Sequence, residues 1–208
     1  MKISIHRALG ELKLLDSRIN KQIGAGAYIG LKKNSAKSEY KTGLTLEEFE
    51  AKAKASIQSV NDLIARRKAI KEAIVNSNAT TIVTIGGKEM TIASAIERKT
   101  SIEYDRELLK ALKKQYNFAI STVTKQNDTV ESEISQKVDI MLGSEKTKNA
   151  EMVNSFSNDY REANGWKVID PLGLLDTINN LEEEITTFEA DVDVVLSESN
   201  ATTFIEID

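Results

Sequence analysis

The stretch that decides the fold runs from residue 91 to residue 143 and reads TIASAIERKTSIEYDRELLKALKKQYNFAISTVTKQNDTVESEISQKVDIMLG. Leu109, Leu112, Tyr116, Ile120, Val123, Asn127, Val130, Ile134, Val138 and Met141 recur in it at steps of three and four, the spacing of an α-helical seam. No proline or glycine interrupts the run before Gly143, so the pattern predicts one helix over 91–142. At 1.5 Å per residue such a helix is about 75 Å long. A globule of 208 residues cannot bury that length, so a partner helix or another subunit must cover the apolar edge.

Upstream, Ile5, Leu9, Leu12, Leu15, Ile19 and Ile23 give an apolar stripe and a helix over 1–23. It stops at the glycines of Gly24-Ala25-Gly26-Ala27-Tyr28-Ile29-Gly30, opening a lysine-bearing loop over 24–44. Thr45-Leu46-Glu47-Glu48 has the form of a capping box and starts a helix over 45–76, with Phe49, Ala53, Ile57, Val60 and Ile64 on its apolar side. β-Branched Thr80–Ile85 followed by Gly86-Gly87 predicts a hairpin over 80–90, and Thr91 caps the long helix. Downstream, a polar helix over 145–163 ends at Asn164-Gly165. Asp170-Pro171 supplies an N-cap with proline at the first helical position of an amphipathic helix over 170–198, and 202–207 is a strand. Ser77-Asn78-Ala79-Thr80-Thr81 recurs as Ser199-Asn200-Ala201-Thr202-Thr203, so the strands after the two copies are expected to join one small sheet. The expected fold is mainly α: one domain over 1–208, built of long antiparallel helical hairpins in a coiled-coil-like bundle with a small β-sheet at one end.

Composition removes much chemistry. Cysteine is absent and His6 is the one histidine, which excludes disulfides, thiolate metal sites, cysteine nucleophiles and multi-histidine zinc centres. Glu182-Glu183-Glu184 and the Asp191/Asp193 pair diverge around a helix axis and read as solvated faces, so no metal and no cofactor are expected. No acid–base pair stands out from surface charge, and the chain is expected not to be an enzyme. A net charge of −4 argues against nucleic acid. No apolar run approaches the ~20 residues of a membrane span, and Met1–Arg7 does not read as a secretory signal; no membrane partner and a cytoplasmic location are expected.

The loop is the best candidate for ligand contact. Its glycines can aim backbone N–H groups at an anion, Lys32, Lys33 and Lys41 can neutralise phosphate, and Tyr28 or Tyr40 can stack on a base. No phosphate-binding glycine signature is present, and the plain alternative is a solvated loop. Arg66 and Arg67 can fork onto the same phosphates, or can be a helix face with carboxylate partners. Asn78 and Asn200 can line a polar pocket, or can end their helices in the left-handed conformation. Asn127, polar within the seam, is expected to set register, and Trp166 to anchor a core or interface.

Ile74–Thr81, the Gly86-Gly87 turn and Thr91-Ile92-Ala93-Ser94-Ala95-Ile96-Glu97-Arg98 resemble the central motif of the septicolysin-like family of small helical proteins. Trp166, the Val168-Ile169-Asp170 step and Glu198–Thr203 are similar too, while Gly24–Gly43 and Val123–Gly165 look like elaborations. The longer form resembles versions carried by large phages of Gram-positive bacteria. The resemblance implies a helical fold and a phage setting, with the host cytoplasm as location, and brings no catalytic or pore-lining residue. Two functions are expected. In the first, a homo-oligomeric phage protein sequesters a small nucleotide-like host immune signal, with Tyr28, Lys32, Lys33, Tyr40, Lys41, Arg66 and Arg67 supplying stacking and phosphate neutralisation. In the second, the chain is a virion or assembly protein whose long helices pack against other chains. Lysis, suggested by the family name, is not expected, because no exposed apolar helix is evident.

Overall fold

The computed structural model describes residues 1–143 and 150–207, the side chain of Leu142 excepted. Its elements are β1 (Lys2–Ser4), α1 (Ile5–Ala25), α2 (Leu46–Thr80), β2 (Ile82–Ile85), β3 (Lys88–Thr91), α3 (Ile92–Leu142), α4 (Ala150–Asn164), α5 (Leu174–Thr202) and β4 (Phe204–Glu206). The fold is mainly α, and α3 is one helix of 51 residues. The helix expected over 145–163 is present from Ala150; 145–149 lie outside the described residues. At Thr45 the capping box forms in both directions: the Glu48 amide donates to Thr45 Oγ1 (3.3 Å) and the Thr45 amide to Glu48 Oε2 (2.9 Å).

The helices α1, α2 and α5 turn a seam inward at alternating steps of three and four, an average of 3.5, which keeps a helix facing a neighbour that coils around it. In α1 the seam is Ile5, Ala8, Leu12, Leu15 and Ile19; in α2 it is Phe49, Ala53, Ser56, Val60, Leu63, Ile70 and Ile74. In α5 it is Ile178, Leu181, Ile185, Phe188, Val192 and Val195. Several residues assigned to stripes from sequence lie one step off this path and are exposed: Leu9, Ile23, Ile57, Ile64, Ile120 and Met141. Small Ala8, Ser56 and Ala119 take inward places beside them, because helix phase, and neither size nor apolarity, sets which side faces the neighbour.

Packing groups the chain, expected as one domain, into two compact units that divide α3 and α5: residues 1–100 with 187–208, and residues 101–186. In the first, α1 and α2 form an antiparallel hairpin over a core of Ile3, Ile5, Ala8, Leu12, Leu15, Ile19, Ile70, Ile74, Ile205 and Ile207. In the second, Val130, Ile134 and Val138 of α3 pack on Val153, Phe156 and Tyr160 of α4. Arg161 forks onto Glu131 (2.6 and 2.8 Å), which lowers the Glu131 pKa, and Tyr160 Oη donates to Glu133 (2.8 Å), a hydrogen bond that raises the tyrosine's. Lys113 of α3 reaches Glu182 of α5 (2.5 Å).

The strands depart from expectation. They form two separate antiparallel pairs, β1–β4 and β2–β3, where one sheet was expected, and residues 2–4, read as helix, are the strand that pairs with β4. Both Ser-Asn-Ala-Thr-Thr segments stay helical through their first threonine, so neither asparagine is a left-handed stop; no residue other than glycine has positive φ among the described residues. Pro171 sits in a turn ahead of α5, and Asp170 accepts from the Leu172 and Leu174 amides (3.2 and 2.7 Å) across it, so the helix starts later than expected.

The repeated segment marks a larger internal repeat, all of it in the first unit. The Thr81 and Thr203 amides both donate to the serine carbonyl four residues back (2.8 Å each), and the Thr81 and Thr203 carbonyls accept from Ile92 and Ile5, the first residues of α3 and α1 (3.0 Å each). Thr91 caps α3 through the Ser94 amide as Ser4 caps α1 through the Arg7 amide. Ile82 faces Thr91 as Phe204 faces Ser4. Ile85 and Ile207, Ile92 and Ile5, and Ala95 and Ala8 are all buried. A helix–strand–strand–helix unit therefore occurs twice, once in chain order as α2–β2–β3–α3 and once as α5–β4 joined to β1–α1. Gly86 and Gly87, at φ +56° and +73°, close the first copy with the positive φ angles a type I′ turn demands.

Candidate functional site

The loop between α1 and α2 is built around its own carboxylate. Between Gly24 and Thr45 the one acid is Glu39, and it is buried. Its carboxylate accepts from the amides of Thr42 (2.6 Å), Lys41 (2.9 Å) and Leu31 (3.2 Å) and from Thr42 Oγ1 (2.8 Å). These donors, led by the Thr42 amide, hold its pKa down at about 2 against the ordinary 4.5. The Tyr40 amide donates to the Leu31 carbonyl (2.7 Å) and the Glu39 amide to the Leu44 carbonyl (2.8 Å), and Ser38 bridges Thr45. Gly30 lies under this arrangement: a Cβ there would stand 2.6 Å from Glu39 Cγ and 2.7 Å from Phe49 Cζ. The loop thus folds its backbone donors onto its own Glu39, and these donors are the Leu31, Lys41 and Thr42 amides, none of them a glycine's.

What the loop presents outward is cationic and apolar together. Lys32, Lys33, Lys37 and Lys41 are exposed, as are Ile29 (88%), Leu31 (66%) and Tyr40 (75%). Tyr28 turns the other way: its hydroxyl donates to the Gln22 and Ile23 carbonyls (3.3 and 3.2 Å), capping α1, and its ring borders a shallow groove with Ala53, Lys54 and Ile57.

The remaining sequence candidates lie elsewhere. Arg66 pairs with Glu11 (3.0 Å) and Arg67 with Asp16 (2.5 Å), joining α2 to α1 well along the hairpin from the loop. The carboxylate-paired alternative holds for both. Asn78 and Asn200 sit half-buried in the last turns of α2 and α5, and Asn78 Oδ1 has no hydrogen-bond partner. A groove of about 340 Å³ beside these helix ends is lined by Thr81, Val83, Glu198, Ser199 and Thr202, without either asparagine. The nine candidates therefore occupy three places in the first unit. In the second unit Asn127 works within the chain: its amide donates to the Trp166 carbonyl (3.1 Å) and accepts from the Trp166 amide (2.8 Å), pinning the α4–α5 connection to α3.

Sequence reasoning missed Glu39. The signal was one acid in a lysine-rich, glycine-flanked loop, followed three residues on by Thr42. Among the described residues no cluster of histidine, aspartate and glutamate could hold a metal ion, and no helix is long and apolar enough to cross a membrane. The chain matches no family model, no curated protein and no solved structure.

Proposed function

We propose that this chain is a non-catalytic helical protein that works by self-association, an assembly component whose long helices pack against copies of itself. The supporting observation lies in the second unit. Among its described residues the buried hydrophobics are Ile102, Val130, Ile134, Val138, Ile178 and Ile185, a thin core for residues 101–186. Phe118 (71%), Ile140 (85%), Ile169 (92%) and Leu172 (71%) stand in solvent on the same unit. A copy packed along these helices would take that apolar surface out of water, which is the driving force this reading invokes. A phage virion or assembly setting belongs to this reading through the septicolysin-like resemblance. Light scattering across a concentration series tests it: a mass that is a multiple of the chain is expected, reduced by Phe118→Asp or Ile169→Asp. A single-chain mass at every concentration would overturn the proposal.

A second reading is favoured by the loop, whose four lysines face outward while its one carboxylate faces inward. In it, Lys32, Lys33, Lys41 and Tyr40 bind a small nucleotide-like anion by neutralisation and stacking and sequester it without turnover. Tyr28 would have to leave its cap, and Arg66 and Arg67 their carboxylates, to join. Calorimetry with cyclic dinucleotides and ADP-ribose derivatives, and native mass spectrometry for a retained small molecule, decide it. No heat and no retained mass would end this reading.

A further inference from the structure

We infer that the loop over 26–45 of one copy docks into the groove between α2 and β4 of a second copy, an inference that rests on the self-association reading. The groove, of about 460 Å³, is lined by Glu72, Asn76 and Glu206 together with Ala73 and the edges of the core residues Ile205 and Ile207, and among the described residues no basic one lines it. Lys2 faces Glu206 in the strand register, but its ammonium lies over the Phe204 ring at 5.7 Å. Ile5 donates to Thr203 and Ile207 to Met1, so odd-numbered residues of the β4 segment face β1, and the Glu206 amide points away from it, an open edge beside the groove.

Loop and groove complement each other in both respects that matter. The loop offers Lys32, Lys33, Lys37 and Lys41 around the apolar Ile29 and Leu31; the groove offers two carboxylates beside the small apolar surface that Ala73, Ile205 and Ile207 leave open. A free nucleotide or a polynucleotide would satisfy the lysines and leave Ile29 and Leu31 in water. Glu39 rigidifies the loop before docking, which lowers the ordering cost. The loop cannot reach its own groove. Between Leu46, where α2 leaves the loop, and Ala69, at the groove, α2 advances about 35 Å at 1.5 Å per residue. The contact is therefore between copies, and it either closes reciprocally in a two-fold dimer or propagates into a larger ring or an open chain.

Two kinds of variant test this in the full-length protein. The triple substitution Ile29→Ser/Leu31→Ser/Lys33→Ser removes the apolar pair and one lysine, and Glu72→Arg/Glu206→Arg removes the groove's carboxylates; all five positions are exposed. Each variant alone should lose at least tenfold in self-affinity by light scattering. An equimolar mixture should regain the association that each variant lost, since the intact loop of one meets the intact groove of the other. Because the chain has no cysteine, mixing Leu31→Cys with Asn76→Cys under mild oxidation gives an independent readout, expected as a disulfide-linked pair. A wild-type oligomer whose mass both multiple variants leave unchanged, with no disulfide-linked pair, would overturn this inference and leave self-association standing. A wild-type monomer at every concentration would overturn both.

Discussion

At the residue scale the chain's most consequential group is Glu39. Its folded pKa of about 2 lies below the ordinary 4.5, so the stabilisation it brings is complete above about 4.5 and is lost as pH falls toward 2. The amide resonances of Leu31, Lys41 and Thr42 should therefore shift together over that window, and Glu39→Gln should abolish the shift while making the loop readily cleaved by protease at neutral pH. An unchanged set of amide shifts would disprove this arrangement. Gly30→Ala forces a Cβ against Glu39 and Phe49 and is expected to cost ~1–3 kcal/mol, read as a drop in thermal midpoint. Asn127 makes the same kind of statement in the second unit. Asn127→Ala removes both hydrogen bonds to Trp166 and should cost ~1–2 kcal/mol. Trp166 is the one tryptophan, so its fluorescence anisotropy should fall as the connection loosens. Thr45 and Glu48 were readable in advance because a capping box closes within four residues. Glu39 was not, because its donors come from positions 31, 41 and 42, and a three-point closure leaves no fixed spacing to recognise.

At the element scale the helices are legible because they are long and rarely interrupted, and each predicted helix is found within a few residues of its expected bounds where it is described. The face each helix turns inward is less legible. Ile57 and Ile64 are as apolar as Val60 and Leu63, and only the phase set by the neighbouring helix selects between them. The repeat was half visible. Its Ser-Asn-Ala-Thr-Thr marker is literal in the sequence, whereas the match between Thr91-Ile92…Ala95 and Ser4-Ile5…Ala8 keeps the isoleucine and the alanine but trades threonine for serine, too sparse a set of identities to stand out. Equivalence makes a testable statement. Ile85→Ala and Ile207→Ala empty matching buried places and should each cost ~2–5 kcal/mol in denaturant unfolding. Gly87→Ala, which puts a side chain at φ +73°, should cost ~1–2 kcal/mol and weaken only the β2–β3 copy. If Ile207→Ala were silent while Ile85→Ala unfolded the protein, the two copies would not be energetic equivalents.

At the scale of the whole molecule the two units differ in how much each buries, and the difference predicts where the chain opens. The first unit encloses a ten-residue cluster fed by α1, α2 and the β1–β4 pair. In the second, α3 between Leu109 and Asn127 is nowhere more than half-buried, and full burial returns only at Val130, Ile134 and Val138. Backbone amides on a helix with so little apolar cover exchange through cheap local openings, while those over a closed core wait for global unfolding. Hydrogen exchange should therefore be slow for 5–19 and 60–74 and fast for 103–127 in dilute solution. If copies cover the exposed Phe118 and Ile120, protection over 103–127 should rise with protein concentration, because binding stabilises by mass action only what the partner touches. Ile134→Ala should speed exchange within 101–186 and leave 5–19 unchanged. Protection over 103–127 that is high and independent of concentration would mean that the chain covers this helix by itself, and the case for assembly through α3 would end there.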